Sequence, residues 1–281
     1  MLAGVTETRP RPRNAIFDAN RATGTIALSV AAEGGRTRRE KVHEAGSLRV
    51  RFPNVTTDAL EAVIVNTGGG MTGGDRFTVD IEVGAGAHLM AGTTAAEKIY
   101  RSTGPDAEMH VALRVAAGAH LAWLPQETIL FDRARLSRHI DIKLAETASL
   151  IMAEAVVFGR AAMGEAVVEG FFADRWRLTR GGKLIYADAL RLDGAIAEKL
   201  GRRAVANSGI ALATVLIAPH GDDQLAAVRA LDEQFAGEVG ISAWNGIAVA
   251  RLCAEDGARL RHDLIAVLAA LGTSVPRLWL Q

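Results

Sequence analysis

Cysteine is nearly absent from this chain. One thiol, Cys253, stands in 281 residues, which excludes an internal disulfide and every zinc site built on several cysteines. It lies in the apolar run "AVARLCAED", where a buried, inert thiol is expected. The histidines stand at 43, 88, 110, 120, 139, 220 and 262, with no HExxH or HxH pair, so no high-affinity metal site is written locally. Excess charge is absent too. Thirty-two basic residues balance 32 acidic ones, and without a basic surplus nucleic acid is excluded as the main partner. No apolar run approaches the length of a membrane span, and the first twelve residues lack the apolar core of a signal peptide. A cytoplasmic protein is therefore expected. The one basic cluster, "TRPRPR" at residues 8–13, reads as the end of a flexible N-terminal arm over 1–13.

Glycine is plentiful, and its densest stretch is "NTGGGMTGGD", residues 66–75. A phosphate-binding loop needs Gly-Lys-Ser/Thr opening a helix. Here the glycines run into Asp75 and an alternating strand, and a carboxylate at the mouth of an anion nest repels the ligand. The nucleotide reading is the poorer one. A turn whose carboxylate caps backbone N–H groups beside φ-positive glycines is the structural reading. A functional role for Asp75 remains the other.

The middle of the chain repeats itself. "FTVDIEVGAGAHLMAG" (77–92) is echoed by "MHVALRVAAGAHLAWL" (109–124), "HIDIKLAETASLIMAEA" (139–155) and "RWRLTRGGKLIYADA" (175–189). Aligned on Val83, Val115, Leu144 and Leu178, the offsets are 32, 29 and 34 residues. Each unit reads as a strand, a tight turn and a second strand. The first strands alternate with period two, Phe77, Val79, Ile81 and Val83 opposing Thr78, Asp80 and Glu82, which marks one wet face. The second strands (Leu150, Ile151, Met152; Leu184, Ile185, Tyr186) are apolar on both faces and belong in the interior. His88 and His120 fall at one repeat position, where the later copies carry Ser149 and Lys183. That position reads as a solvated ladder, or as stacked imidazoles able to hold a metal.

Such units bury their apolar faces only by stacking. The expected fold is mainly β, an irregular β-helix or solenoid-like stack of strands over 14–191, with two or three C-terminal α-helices. A β-sandwich is the alternative. Helical stripes fall at 221–235, with Asp222 and Asp223 as caps, and at 258–272, closed by Gly272. No linker interrupts the chain, so residues 14–281 form a single domain.

Three insertions between the echoes carry carboxylates: "TTAAEKIYRS" with Glu97, "LPQETILFDRARLSR" with Glu127 and Asp132, and "EAVVFGRAAMGE" with Glu154 and Glu165. Stacking gathers Asp75, Glu97, Glu127 and Glu165 toward one side or end. The bland readings are ion pairs, such as Glu127 with Arg133, or Glu97 and Lys98 with charges on other rungs.

In that order and at that spacing, "GGGMTGGD", "AAEKIYRS", "LPQETILFDRARLSR", "FGRAAMGE" and the closing "VPRLW" resemble the UreD family of urease accessory proteins, also called UreH. The likeness spans residues 14–279. It implies a non-enzymatic chaperone that binds urease apoprotein and UreF, with the GTPase UreG joining through UreF, and it allows a dimer within the accessory complex. It also implies that nickel passes through an internal, water-filled path. On that reading the transfer path uses Asp75, Glu97, Glu127, Asp132 and Glu165, no cofactor is tightly bound, and Ni²⁺ is transient cargo. Oxygen ligands and water suit release better than thiolates or imidazoles. Two other classes stay open: a β-helix carbohydrate-acting enzyme using paired carboxylates, weakened by only 5% aromatics, and a nucleotide-binding protein using the glycine-rich loop.

Overall fold

A computed structural model describes residues 21–54, 59–160 and 163–280. The N-terminal arm expected over 1–13 lies outside the described residues.

The repeats become coils of a β-stack. Strands β5 (Arg76–Val83), β8 (Ala107–Val115) and β11 (Arg135–Leu144) pair in parallel on one sheet. Their followers β6 (His88–Thr93), β9 (His120–Leu124) and β12 (Ser149–Phe158) pair in parallel on a second. Short strands β7 (Glu97–Ile99) and β10 (Thr128–Leu130) lie beside the end of β12 as a third face. The turns between first and second strands are alike. Ala87 N–H donates to Gly84 O, Ala119 N–H to Ala116 O and Ala148 N–H to Ala145 O, at 3.0–3.1 Å. Val83, Val115 and Leu144 stand in register and are buried. Inward apolar side chains at alternate positions thus fill one continuous core.

Antiparallel hairpins close both edges of the first sheet. β1 (Thr23–Glu33) pairs with β5 and turns back into β2 (Arg36–Gly46), the edge strand. At the other edge β13 (Glu169–Arg180) joins β11 in parallel and reverses into β14 (Lys183–Ala195). This hairpin corrects the reading of the fourth echo. Leu178 pairs with Ile142, while Leu144 faces Arg180. Gly181 and Gly182, at φ +55° and +82°, fold the chain back onto the same sheet instead of carrying it across to the second. Leu184 is therefore 43% exposed, although Tyr186 is buried, and Lys183 is no rung of the His88–His120–Ser149 row.

The second sheet continues as β3 (Leu48–Arg51), β4 (Leu60–Asn66), β6, β9 and β12, then β15 (Ala211–Ala218), β17 (Ile247–Ala254) and β16 (Glu238–Trp244). A second core lies on its outer face, where Ala122, Leu124, Ile151 and Ala153 meet Leu264, Val267 and Leu268. That double burial explains why β9 and β12 carry no polar alternation. Among the described residues the α-helices are α1 (Ile196–Gly201), whose position carried no helical stripe in the sequence reading, α2 (Asp222–Arg229) and α3 (Gly257–Ala270). Asp256 caps α3 by accepting from Arg259 N–H at 2.8 Å. Asp222 and Asp223 fall in the first turn of α2 rather than at its cap, which is Gly221. Cys253 is half-buried on β17.

The register makes a direct test. Leu113, fully buried between Ile81 and Ile142, should cost about 2–5 kcal/mol on change to alanine. Leu184→Ala should cost under about 1 kcal/mol. Chemical denaturation of the two variants checks the placement of β14.

Candidate functional site

The glycine-rich loop is committed to the stack. Met71 N–H donates to Lys98 O, Gly74 N–H to Asp106 O, and Gly68 N–H to the Asn66 side chain. A Cβ at Gly73 would stand 2.3 Å from Pro105 O, so this glycine permits contact between coils. Asp75 is buried and holds two backbone amides, Ala22 N–H on Oδ1 at 2.8 Å and Thr72 N–H on Oδ2 at 2.7 Å. With these amides taken by protein acceptors, the loop presents no anion nest.

The other carboxylates follow on successive coils rather than in one cluster. Asp132 accepts from Val168 and Glu169 N–H. Glu127 pairs at 2.6 Å with Arg261 of α3, not with Arg133. Arg261 also donates to Trp279 O and the Gln126 side chain, so this pair docks the helix and C-terminal segment against the third face. Glu165 pairs with Arg160 at 2.5 Å and lines an open pocket of about 300 Å³ with Val167, Leu200 and Ile210.

Glu97 differs from the rest. It stands in register with Thr128, its backbone N–H bonds Glu127 O, and its side chain accepts from Asn66 at 2.9 Å. No ion pair holds it among the described residues. Together with Thr128, Arg138 and Glu154, and with Trp123 and apolar neighbours such as Phe77, Val79 and Val111, it lines a partly open void of about 50 Å³, room for roughly three or four waters against its polar groups. Burial raises its pKa from 4.5 to about 7; the Asn66 bond and Lys98 oppose the rise, and Asp75 adds to it. The carboxyl therefore changes charge near neutrality.

Beyond the void lies a buried charge clamp. Arg138, from the first sheet, donates to both oxygens of Asp174 at 3.0 and 2.6 Å and to Glu154 of the second sheet. Trp123 Nε1–H donates to the other Glu154 oxygen at 2.7 Å. Burial works against the Arg138 charge, but the two carboxylates outweigh it and raise its pKa. Burial likewise raises that of Glu154, against the pull of Arg138. Arg138 and Asp174 escaped the sequence reading, although the signal was there. Both fall on the apolar parity of their strands, among Leu136, Ile140 and Ile142, and Phe172, Trp176 and Leu178. A charge on an inward position announces a buried partner.

Among the described residues no three His, Cys, Asp or Glu side chains are placed to hold a metal ion, and no helix is long and apolar enough to cross a membrane. His120, on the outer rim of the second sheet, has its pKa lowered by burial and by His88.

A stack of β-coils closed by hairpins at both edges of its first sheet is the architecture in which the similarity to known proteins falls. The family profile "UreD urease accessory protein" matches residues 22–280. The chain is 57% identical over 267 residues to "Urease accessory protein UreD" of Bradyrhizobium diazoefficiens strain USDA 110, covering 95% of this chain and 97% of the relative. It is 58% identical over 268 residues to the protein of that name in Rhodopseudomonas palustris strain HaA2, covering 95% and 96%. The chain belongs to the UreD urease accessory protein family.

Two outcomes follow from the interior charges. Arg138→Met leaves Glu154 and Asp174 without their cation and should destabilise by about 3–5 kcal/mol, whereas replacing all three with apolar residues should recover most of that loss. For Glu97, the folded carboxyl keeps its proton to about pH 7 while an unfolded one releases it near 4.5. The native state then holds the extra proton across that window, so stability falls as pH rises through it. Glu97→Gln should match the wild type at pH 4 and exceed it by roughly 1–3 kcal/mol at pH 8, read from urea melts at the two pH values.

Proposed function

We propose that this chain is a non-catalytic scaffold of urease maturation, a cytoplasmic protein that binds urease apoprotein and UreF, with UreG attached through UreF. On this reading it helps conduct nickel toward the urease active site, and a dimer within the accessory complex is compatible with it. The observation that carries the reading is the hydratable interior void faced by Glu97, the one carboxylate of the five without an ion pair or backbone amides on its side chain.

A divalent ion crossing a protein needs charge to offset desolvation, and it must not be trapped. Glu97 supplies one negative charge on demand. A cation entering the void favours the ionised carboxylate, and its departure lets the proton return. Water in the void keeps part of the ion's hydration shell. Asp75 and Asp132 hold the walls by binding backbone amides, and Glu127 and Glu165 anchor neighbouring segments through Arg261 and Arg160. Their part in the path is to fix its geometry and to lend long-range negative potential. Nickel is cargo here, and no cofactor is needed.

The test is nickel content and urease activity in cells carrying Glu97→Gln, with pull-down of urease apoprotein and UreF as the assembly control. Activation should fall at least about tenfold while the complex still forms. Glu165→Gln should lower activation less. Asp75→Ala, which orphans two backbone N–H groups, should cost about 1–3 kcal/mol of stability and lower soluble yield. Full activation by Glu97→Gln with normal nickel content removes the void from the path.

A further inference from the structure

Four of the seven histidines of the chain meet in two cross-strand pairs, one on each sheet. On the first sheet, His110 and His139 have ring centroids 5.1 Å apart. His139 also stands in register with Arg175 on β13, and a guanidinium in the neighbouring position opposes a cation. On the second sheet, His88 of β6 and His120 of β9 are direct register partners, with centroids 6.1 Å apart and planes inclined at 61°. The next position in that row is Ser149, which carries no charge.

The hydrogen bonds around His120 prepare it as a ligand. Ser149 Oγ lies 3.4 Å from Ala119 O and 2.9 Å from His120 Nδ1; a metal on Nε2 selects the arrangement in which the hydroxyl turns to the carbonyl, which can only accept. Oγ is then the acceptor for His120 Nδ1–H at 2.9 Å. That assignment leaves Nε2 of the neutral ring with its lone pair free. A ligating histidine whose second nitrogen donates to a fixed acceptor is the common arrangement at metal sites, because it sets tautomer and ring orientation together. The backbone of His88 is held by its N–H donating to Thr37 Oγ1 at 2.7 Å, while its side chain is exposed. Two imidazoles on one ion at about 2.0–2.1 Å place their centroids roughly 5 Å apart. A change in the exposed His88 rotamer of about 1 Å at the ring supplies the difference.

We propose that His88 and His120 form a two-imidazole site for a divalent cation of the nickel, copper and zinc class on the outer rim of the second sheet, with water completing the shell. The row lies at the turn end of the strands, above Ala122 and Ile151, which are covered by the helices. The ion therefore binds from solvent. With two protein ligands the site exchanges its metal readily, and imidazole sets its preference for these ions over magnesium or calcium. This site is separate from the interior void and stands whether or not the void conducts nickel.

The experiment is Ni²⁺ titration of the purified full-length chain by calorimetry at pH 7.5, repeated with His88→Ala/His120→Ala, Ser149→Ala, His110→Ala/His139→Ala and Glu97→Gln. Circular dichroism verifies the fold of each variant. One equivalent should vanish in the His88/His120 double variant and weaken about tenfold in Ser149→Ala. It should persist in the other two. Cu²⁺ bound at this site should show coupling to two nitrogens in its electron paramagnetic resonance spectrum, lost in the same double variant. Equal stoichiometry and affinity in wild type and the His88/His120 variant overturns the proposal. So does loss of the equivalent in His110→Ala/His139→Ala instead. Retention of this equivalent in Glu97→Gln alongside failed urease activation separates it from the interior path.

Discussion

In-register parallel stacking governs this molecule. Because Val83, Val115 and Leu144 lie on adjacent strands at the same level, every inward residue of one coil packs on its counterpart in the next. A slip of one residue would exchange the apolar face for the charged one along a whole strand. The matched turns, with their buried alanines at 87, 119 and 148, hold that register at one corner of each coil. The third face holds it at another, through Glu97, Thr128 and Val156. Everything of chemical interest is positioned by this lattice, since the loops carrying the carboxylates leave the stack at equivalent points.

The same lattice makes interior charge possible. Arg138 spans from the first sheet to Glu154 on the second and is gripped by Asp174 from the neighbouring strand, so the walls are tied across the core by ions rather than by side-chain volume alone. Glu97 sits one step away, bonded by Asn66 and with no ion pair among the described residues. The contrast is between a saturated network, which resists change, and a lone carboxyl poised near neutrality, which responds to any cation that approaches. On the proposed reading, that contrast is what a protein passing a cation without keeping it requires.

Much of the stack was legible in the sequence, since period two and a recurring turn are local signals. The echo at 175–189 misled because a two-glycine reversal and a four-residue turn look alike in composition, while one keeps the chain on its sheet and the other changes sheets. The carboxylates of the insertions were visible, but their partners were not. Arg261 meets Glu127 from 134 residues away, and no local pattern encodes that distance. The buried clamp was half visible: Arg138 and Asp174 break the apolar parity of their strands, and an alternation followed from His139 onward passes them by. The pKa of Glu97 depends on burial contributed by several coils, so it emerges only when the coils are assembled.

The two antiparallel hairpins at the edges of the first sheet bear on how such a protein can change in length. An open coil would present unpaired backbone to a further coil or to another molecule, and the reversals at Glu33–Arg36 and Arg180–Lys183 remove that opportunity for the central strands. Growth is thereby confined to the middle. Duplicating the segment from β8 to β10 would insert one coil and lengthen the interior by about 4.8 Å, leaving both end pieces as they are. The fold carries its own rule for gaining a unit: additions enter between existing neighbours, and the ends are inherited intact.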